Sequence, residues 1–191
     1  MSYYLADLGI INALGAGKAN VLEGLLRGNQ TNMQQCGPML TGRNGVVGVV
    51  VDPLLDVPGD LQTFDCRNNQ LLVTAAEQIR ASIETARSKY GSERIAVVLG
   101  TSTSGITAAE EASDSMARTG ELPPNYNYEQ QEMGTAAEFL VRYLRLNGPR
   151  YTISTACSSS AKALASGMRL IAADICDAVV VGGCDSLCKL T

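Results

Sequence analysis

The chain has 191 residues, of which 46% are hydrophobic and 18% are charged, and its formal net charge is −4. This composition is typical of a globular chain of about one domain with a sizeable core, and it excludes a disordered protein. The sequence contains no run of about 18 apolar residues, so no membrane span is predicted. The negative charge argues against a general attraction to nucleic acid or anionic membranes.

The six cysteines allow three interpretations: disulfides, a metal site or reduced thiols. A disulfide framework is typical of short secreted chains, but the N-terminus lacks the basic region of a signal peptide, so we expect reduced thiols and a cytoplasmic location. A metal site would need ligands at ordered spacings. The nearest approach is Cys184 and Cys188 with Cys176 before them, and no histidine completes the set. The sequence therefore predicts neither a metal nor a cofactor.

The first part of the chain predicts short elements joined by loops. A strand is predicted at residues 3–11, and a helix at 18–27 that Gly28 would end. Residues 36–44 are rich in Gly, Pro and Asn and predict a loop. The β-branched run at 46–51 is too short for a helix and predicts a strand.

The longest predicted helix spans residues 68–89, where apolar residues recur at three- and four-residue intervals along one face. Asn68 or Asn69 would cap its start, and Gly91 would end it. A continuously apolar run at 94–99 then predicts a strand that is covered on both faces of a sheet. This strand leads directly into the loop Gly-Thr-Ser-Thr-Ser-Gly at residues 100–105.

Helices and strands alternate through the rest of the chain. Helices are predicted at 107–118, 134–146 and 158–172, and strands at 151–155 and 178–181. Such alternation predicts βαβ units and hence an α/β fold with a mostly parallel sheet between helix layers.

Cys157 lies between a predicted strand and a predicted helix, which is the usual position of functional side chains in an open α/β sheet. The helix dipole and the unpaired backbone amides there favour a thiolate, and the small residues that follow leave the sulfur accessible. A structural cysteine that packs as a small hydrophobe fits the position alone equally well. A catalytic thiol also needs a proton-transfer group, which is usually histidine, and the chain has none.

Three segments together resemble the β-ketoacyl-acyl-carrier-protein synthase family. They are residues 151–161 around Cys157, residues 177–188 after it, and the glycine-bearing loop at 100–105. The resemblance covers nearly the whole chain and is strongest from Arg94 onward. It implies a thiolase-like fold of two similar αβαβα halves, with residues 1–191 forming the N-terminal half of a protein that is apparently truncated before its C-terminal half.

In this family a cysteine and two histidines perform a decarboxylative Claisen condensation, and both histidines lie in the second half. The resemblance thus accounts for the absence of histidine here, and it implies that residues 1–191 alone do not catalyse the condensation. It makes Cys157 the acyl-accepting nucleophile, with its own backbone N–H as one oxyanion-hole donor. By the same resemblance Thr101, Thr103 and Gly105 shape the wall near the acyl chain, and Met133 lines the acyl tunnel. Core packing is the alternative role for Met133.

The resemblance also implies two partners: an acyl carrier protein and a second copy of the chain in a homodimer. Between residues 139 and 173 the basic residues are not interrupted by any Asp or Glu. They are Arg142, Arg145, Arg150, Lys162 and Arg169. A positive surface beside the nucleophile would steer an acidic carrier protein, although ordinary solvated helix faces are the other interpretation. Fatty acid, polyketide and aryl polyene synthesis all remain open as the pathway.

Two other classes of function compete with an elongating synthase. A noncatalytic subunit of the chain-length-factor type would form a dimer with a catalytic partner, but such subunits usually lack the cysteine that is present at position 157. An independent cysteine hydrolase or a thiol-bearing binding module is the third class. The missing histidine counts against the hydrolase, and the binding module leaves the three matching segments unexplained.

Overall fold

The structure is a computed structural model that describes residues 3–37 and 42–189. In chain order its strands are β1 (Ile11–Asn12), β2 (Gly15–Ala16), β3 (Met33–Cys36), β4 (Gly45–Gly48), β5 (Ile95–Gly100), β6 (Arg150–Ile153) and β7 (Ala178–Gly183). Its α-helices are α1 (Lys18–Arg27), α2 (Arg67–Glu77), α3 (Arg80–Tyr90), α4 (Ile106–Thr119), α5 (Thr135–Tyr143) and α6 (Ser159–Ala172). Short 3₁₀ turns lie at Gly59–Phe64, Ser92–Arg94 and Tyr128–Gln130.

The central sheet places β5 between β6 and β7, and both neighbours run parallel to it. Every residue of β5 is buried, as predicted for a strand covered on both faces. Side chains alternate between the two faces, so Val97 and Leu99 join the main apolar core with helices α2, α3 and α5. Helix α6 covers the other face. The predicted α/β fold with a parallel sheet between helix layers is confirmed.

The predicted strand at residues 3–11 is wrong for most of its length. Only Ile11 and Asn12 pair, in a small antiparallel ladder with β2, and residues 3–10 have no regular structure. The backbone of Ile10 is instead satisfied by the Gln78 side chain, which accepts from its N–H at 3.0 Å and donates to its carbonyl at 3.0 Å. A side-chain amide thus replaces the neighbouring strand that the apolar pattern called for.

The predicted strand at 46–51 is shorter in the structure and pairs with a strand that the sequence did not predict. Strand β4 pairs antiparallel with β3, and most of β3 is made of Met and Gln residues without a strand pattern. The predicted loop at 36–44 therefore overlaps β3 at Cys36. Its residues 38–41 lie outside the described residues.

The long helix predicted at 68–89 is divided into α2 and α3. Ile79 has φ −116° and ψ 13°, and the amides of Gln78 and Ile79 donate to carbonyls three residues back, which tightens the chain and ends α2. The predicted asparagine cap is also wrong, because α2 begins at Arg67 and Asn69 instead donates its amide to the Phe64 carbonyl at 2.7 Å. Gly91, with φ 83°, ends α3 as predicted.

The remaining predicted helices and strands are confirmed, with bounds that differ by up to three residues. Helix α1 ends at Gly28, which has the left-handed φ of 61°. Helix α5 stops at Tyr143, before Arg145 takes a left-handed φ of 54°. Within residues 3–37 and 42–189, no helix is long and apolar enough to cross a membrane.

Candidate active site

The carboxyl ends of the three parallel strands meet at one edge of the sheet. Gly100 at the end of β5 pairs with Ile153 of β6 and with Gly183 of β7. The ladder continues one residue further, since the Cys184 amide donates to the Gly100 carbonyl at 3.1 Å. The segments that follow these strands, which carry the predicted site residues, therefore start side by side.

Cys157 is exposed on a strained turn that directly precedes α6. The residue before it, Ala156, has a left-handed φ of 53°, which costs a residue with a Cβ about 1–2 kcal/mol. Ser159 holds the turn closed, because its buried hydroxyl donates to the Ala156 carbonyl at 2.7 Å and accepts from the Thr155 amide at 2.9 Å. Strain of this kind persists only where the surroundings fix it, and it is frequent where a functional side chain is presented.

Two glycines allow the first turn of α6 to lie directly on the sheet. A Cβ at Gly100 would lie 2.4 Å from the Ser159 carbonyl carbon and 2.5 Å from the Ser160 nitrogen. A Cβ at Gly183 would lie 1.8 Å from the Ser160 hydroxyl. The position of the helix behind Cys157 is therefore set by backbone contact, which any larger side chain would break.

Thr101 and Thr103 are both buried, and their hydroxyls shape the loop between β5 and α4. The Thr101 hydroxyl accepts from the Ser104 amide at 2.8 Å, and the Thr103 hydroxyl accepts from the Ser186 amide at 3.2 Å. Ser104 is held in a left-handed conformation with φ 47°. The structure thus brings the predicted loop residues to the same edge as Cys157. Their contact with an acyl chain stays a prediction.

Asp185 is the residue of this site that the sequence analysis missed. Its Oδ1 accepts four hydrogen bonds from residues 101–103, two from hydroxyls and two from backbone amides. The sequence signal was an acidic residue directly after a strand that ends at the same sheet edge as the Thr-Ser-Thr-Ser loop. Its role could not be assigned without the register between β5 and β7.

Gly105 lets the chain around Gln130 approach the same loop. A Cβ at Gly105 would lie 2.1 Å from the Gln130 carbonyl oxygen and 2.8 Å from the Cys66 sulfur. The buried Gln130 side chain is held in turn by donating to the Asp65 carbonyl at 2.7 Å. The absence of a side chain at Gly105 therefore allows close packing on this side of the site. A contact between Gly105 and an acyl chain stays a prediction.

Met133 lies on the far side of this loop, at an open depression of about 590 Å³. Met133 is 36% exposed within the described part of the chain. The depression is lined by Ile106, Tyr128, Gln131, Glu132, Met133 and Gly134. It adjoins the Thr-Ser-Thr-Ser loop, because the Ser104 hydroxyl donates to the Glu132 carbonyl at 3.1 Å. A role for Met133 in an acyl tunnel stays a prediction.

The six cysteines are free thiols that differ in exposure: Cys36 and Cys157 are exposed, Cys66 and Cys176 are buried, and Cys184 and Cys188 are intermediate. Burial raises the pKa of Cys66 and Cys176, and it raises the pKa of Cys184 to about 12. These three thiols are therefore poor nucleophiles, whereas Cys157 and Cys36 are exposed. Within the described ranges, no cluster of His, Cys, Asp and Glu side chains could hold a metal ion.

The basic run between residues 139 and 173 is partly neutralised by an acid just outside it. Glu138 pairs with Arg142 at 2.8 Å and also with Arg150. These arginines, Arg150 first, lower the pKa of Glu138 although partial burial opposes its ionisation. Arg145, Lys162 and Arg169 are exposed. A steering surface would therefore depend on these three more than on the two arginines that share Glu138.

An exposed cysteine at a strand-to-helix turn, on a parallel sheet between helix layers, agrees with the thiolase-like fold that the resemblance implies. The family description "Beta-ketoacyl synthase, N-terminal domain" matches residues 57–190. The chain belongs to the β-ketoacyl synthase family.

Solved structures agree with this assignment. The chain is 38% identical to a structure of a ketosynthase in complex with its chain length factor from Xenorhabdus doucetiae, with a TM-score of 0.91 over 98% of this chain and 48% of the other. The ishigamide ketosynthase/chain length factor matches with a TM-score of 0.76 at 23% identity, over 95% of this chain and 46% of the other. A β-ketoacyl synthase from Burkholderia phymatum STM815 matches with a TM-score of 0.69 at 20% identity, over 87% and 42%.

A type II polyketide ketosynthase in complex with its acyl carrier protein, bound to the hexaketide, shares the fold at 12% identity, with a TM-score of 0.75 over 95% of this chain and 50% of the other. The chain thus spans about half the length of the structures it matches. No curated protein matches the sequence.

Proposed function

We propose that these residues form the N-terminal half of a β-ketoacyl synthase, an acyltransferase that condenses an acyl thioester with malonyl-acyl carrier protein in fatty acid, polyketide or aryl polyene synthesis. The observation that supports this most is the exposed Cys157 on its strained turn at the start of α6, in a chain of this family.

In the proposed reaction the Cys157 thiolate attacks the acyl carbonyl and forms a new S–C bond. The C–S bond to the carrier breaks, and the carrier sulfur leaves as a thiolate that takes up the proton Cys157 had lost. Malonyl-carrier protein then loses carbon dioxide, and the resulting carbanion attacks the acyl-Cys157 thioester. The new C–C bond releases the cysteine as thiolate.

Proton transfer in this scheme needs groups that the 191 residues do not contain, since the chain has no histidine. By the family resemblance, two histidines of the second half supply them. We therefore expect residues 1–191 alone to be inactive in condensation, and we place the activity in a longer protein that includes them.

An acyl carrier protein, a homodimer and a cytoplasmic location are part of the proposal. The carrier protein is supported by the exposed Arg145, Lys162 and Arg169, and by the matched structure of a type II polyketide ketosynthase in complex with its acyl carrier protein. The homodimer is supported by the open edges of the central sheet, since in the described part of the chain β6 and β7 each pair only with β5.

A noncatalytic subunit of the chain-length-factor type is the second candidate. It is favoured by the two matched structures of ketosynthases with a chain length factor. The exposed Cys157 favours a catalytic subunit over a noncatalytic one, because a subunit that only shapes a partner's pocket does not need a thiol on a strained turn.

A condensation assay separates the two candidates. The full-length protein is purified alone and incubated first with acyl-carrier protein and then with malonyl-carrier protein. The ketoacyl product is measured for the wild type and for Cys157→Ala. Product from the wild type alone, abolished in the variant, supports the synthase. Product that appears only when a second ketosynthase subunit is added, and that is unchanged in the variant, supports the noncatalytic subunit.

A further inference from the structure

Asp185, which follows β7, contacts three consecutive residues of the Thr-Ser-Thr-Ser loop through one oxygen. Its Oδ1 lies 3.0 Å from the Thr101 hydroxyl, 2.6 Å from the Ser102 amide, and 3.2 Å from both the amide and the hydroxyl of Thr103. All four groups donate to it. Although Asp185 is exposed, its single oxygen ties three consecutive loop residues to the end of β7.

The next residue, Ser186, makes two further hydrogen bonds to the same loop. The Ser186 amide donates to the Thr103 hydroxyl at 3.2 Å, and the buried Ser186 hydroxyl donates to the Ser104 carbonyl at 3.2 Å. Between these contacts Ser104 keeps its left-handed φ of 47°. A strained residue in a loop persists only when its neighbours fix it, and here the fixing groups come from the end of another strand.

The loop is continuous with the contact that positions the cysteine helix. Gly100 directly precedes it and lies against the backbone of Ser159 and Ser160, in the first turn of α6. The position of the loop and the position of the turn that presents Cys157 are therefore determined at the same sheet edge. Asp185 connects this edge to β7.

We infer that Asp185 is a positioning residue: it fixes residues 101–104 at the same edge as Cys157 and thereby sets the wall on which an acyl chain attached to that sulfur lies. This inference rests on the proposed function. Asp185 acts as a hydrogen-bond acceptor at a fixed point and takes no part in bond making.

Two substitutions in the full-length protein separate the acceptor geometry from the charge. Asp185→Asn keeps an oxygen at the same reach and removes the charge, whereas Asp185→Leu removes the acceptor at similar size. Asp177→Leu is the matched control. Asp177 lies just before the opposite end of the same strand and pairs with Arg94 at 2.6 Å, far along the strand from the loop.

Hydrogen exchange of the backbone amides in residues 101–104 is the first measurement. Asp185→Leu leaves the Ser102 amide without its acceptor and the Thr103 amide with only the Thr101 hydroxyl at 3.3 Å. We therefore expect exchange at Ser102 to rise about tenfold or more and at Thr103 by less, while Asp185→Asn and Asp177→Leu stay close to wild type. The acylation rate from acyl-carrier protein is the second. We expect a fall of about 100-fold in kcat for Asp185→Leu, with an altered preference for acyl chain length, and near wild-type values for Asp185→Asn.

Three results would overturn the inference. They are unchanged exchange in Asp185→Leu, equal loss of activity in Asp185→Asn and Asp185→Leu, or the same kinetic loss in Asp177→Leu. The first would show that Asp185 does not hold the loop, the second that the charge acts rather than the acceptor, and the third that lost stability explains the effect. A wild type that accepts no acyl group refutes the proposed function and the inference with it, whereas unchanged exchange in an active enzyme refutes the inference alone.

Discussion

Replacing Gly100 by alanine tests whether backbone contact sets the position of the cysteine helix. The added Cβ would lie 2.4 Å, 2.5 Å and 2.7 Å from three backbone atoms of Ser159 and Ser160. Ordinary carbon contacts begin at about 3.5 Å, so the first turn of α6 must move away by about 1 Å. No change of side-chain rotamer relieves this clash, because all three atoms belong to the backbone.

The expected cost follows from this displacement. Overpacking in a well-packed core costs about 1–3 kcal/mol of the free energy of unfolding, and a misplacement of about 1 Å at a reacting group lowers activity about 100-fold. We therefore expect Gly100→Ala to lower the urea midpoint of the full-length protein and to slow the acylation of Cys157 by more than the loss of stability explains.

Gly182→Ala is the matched control, because Gly182 pairs with Leu99 in the neighbouring strand β7 and a Cβ there meets no atom within 4 Å. This control is expected to unfold at or slightly above the wild-type midpoint, since alanine is favoured over glycine in a strand by about 0.5–1 kcal/mol. The reasoning is refuted if Gly100→Ala and Gly182→Ala share the same midpoint and the same acylation rate.

Three further predictions concern the turn, the N-terminal segment and the thiols. Ser159→Ala removes the acceptor of the Thr155 amide and is expected to lower the free energy of unfolding by about 1–3 kcal/mol, measured by urea denaturation; an unchanged midpoint would contradict the described turn. Hydrogen bonds from Lys18 and Ser82 lower the pKa of Asp7 from 3.8 to about 2, so this carboxylate contributes stability above pH 3.8 that is lost as the pH falls toward 2. The stability difference between wild type and Asp7→Asn should therefore shrink steeply over that interval and vanish below pH 2, and a difference that stays constant from pH 4 to pH 2 would oppose this assignment. Limiting iodoacetamide followed by peptide mass spectrometry should label Cys157 first, and earlier labelling of Cys36 or Cys66 would argue against it.

The sheet and its helices could be predicted from the sequence because their patterns are local. The continuously apolar β5 and the helix after Cys157 each carry their own signal, and the order of the elements implies the parallel sheet. The helix that divides at Ile79 could not be predicted in this way, since its apolar positions continue through the break. The N-terminal strand failed for a different reason: a strand needs a neighbour, and in the described residues Gln78 takes that place.

In the candidate site, too, residues with a local sequence pattern could be predicted and a residue that acts through a long-range contact could not. Cys157 could be found from its place between two local patterns, and the resemblance added the loop that contains Thr101 and Thr103. Asp185 could not be found, because its role depends on the register that brings the end of β7 next to the loop after β5. Residues that act through contacts between distant segments leave no periodic pattern in a sequence.

Mass spectrometry of the acylated protein tests the central claim most directly. The full-length protein is incubated with acyl-carrier protein, digested and searched for the acyl group on each of the cysteines, with Cys157→Ala as the control. The account predicts one acyl group per chain on the peptide that contains Cys157, and none in the variant. An acyl group on another cysteine, or equal acylation of the variant, would contradict the assignment of Cys157 as the acyl-accepting nucleophile.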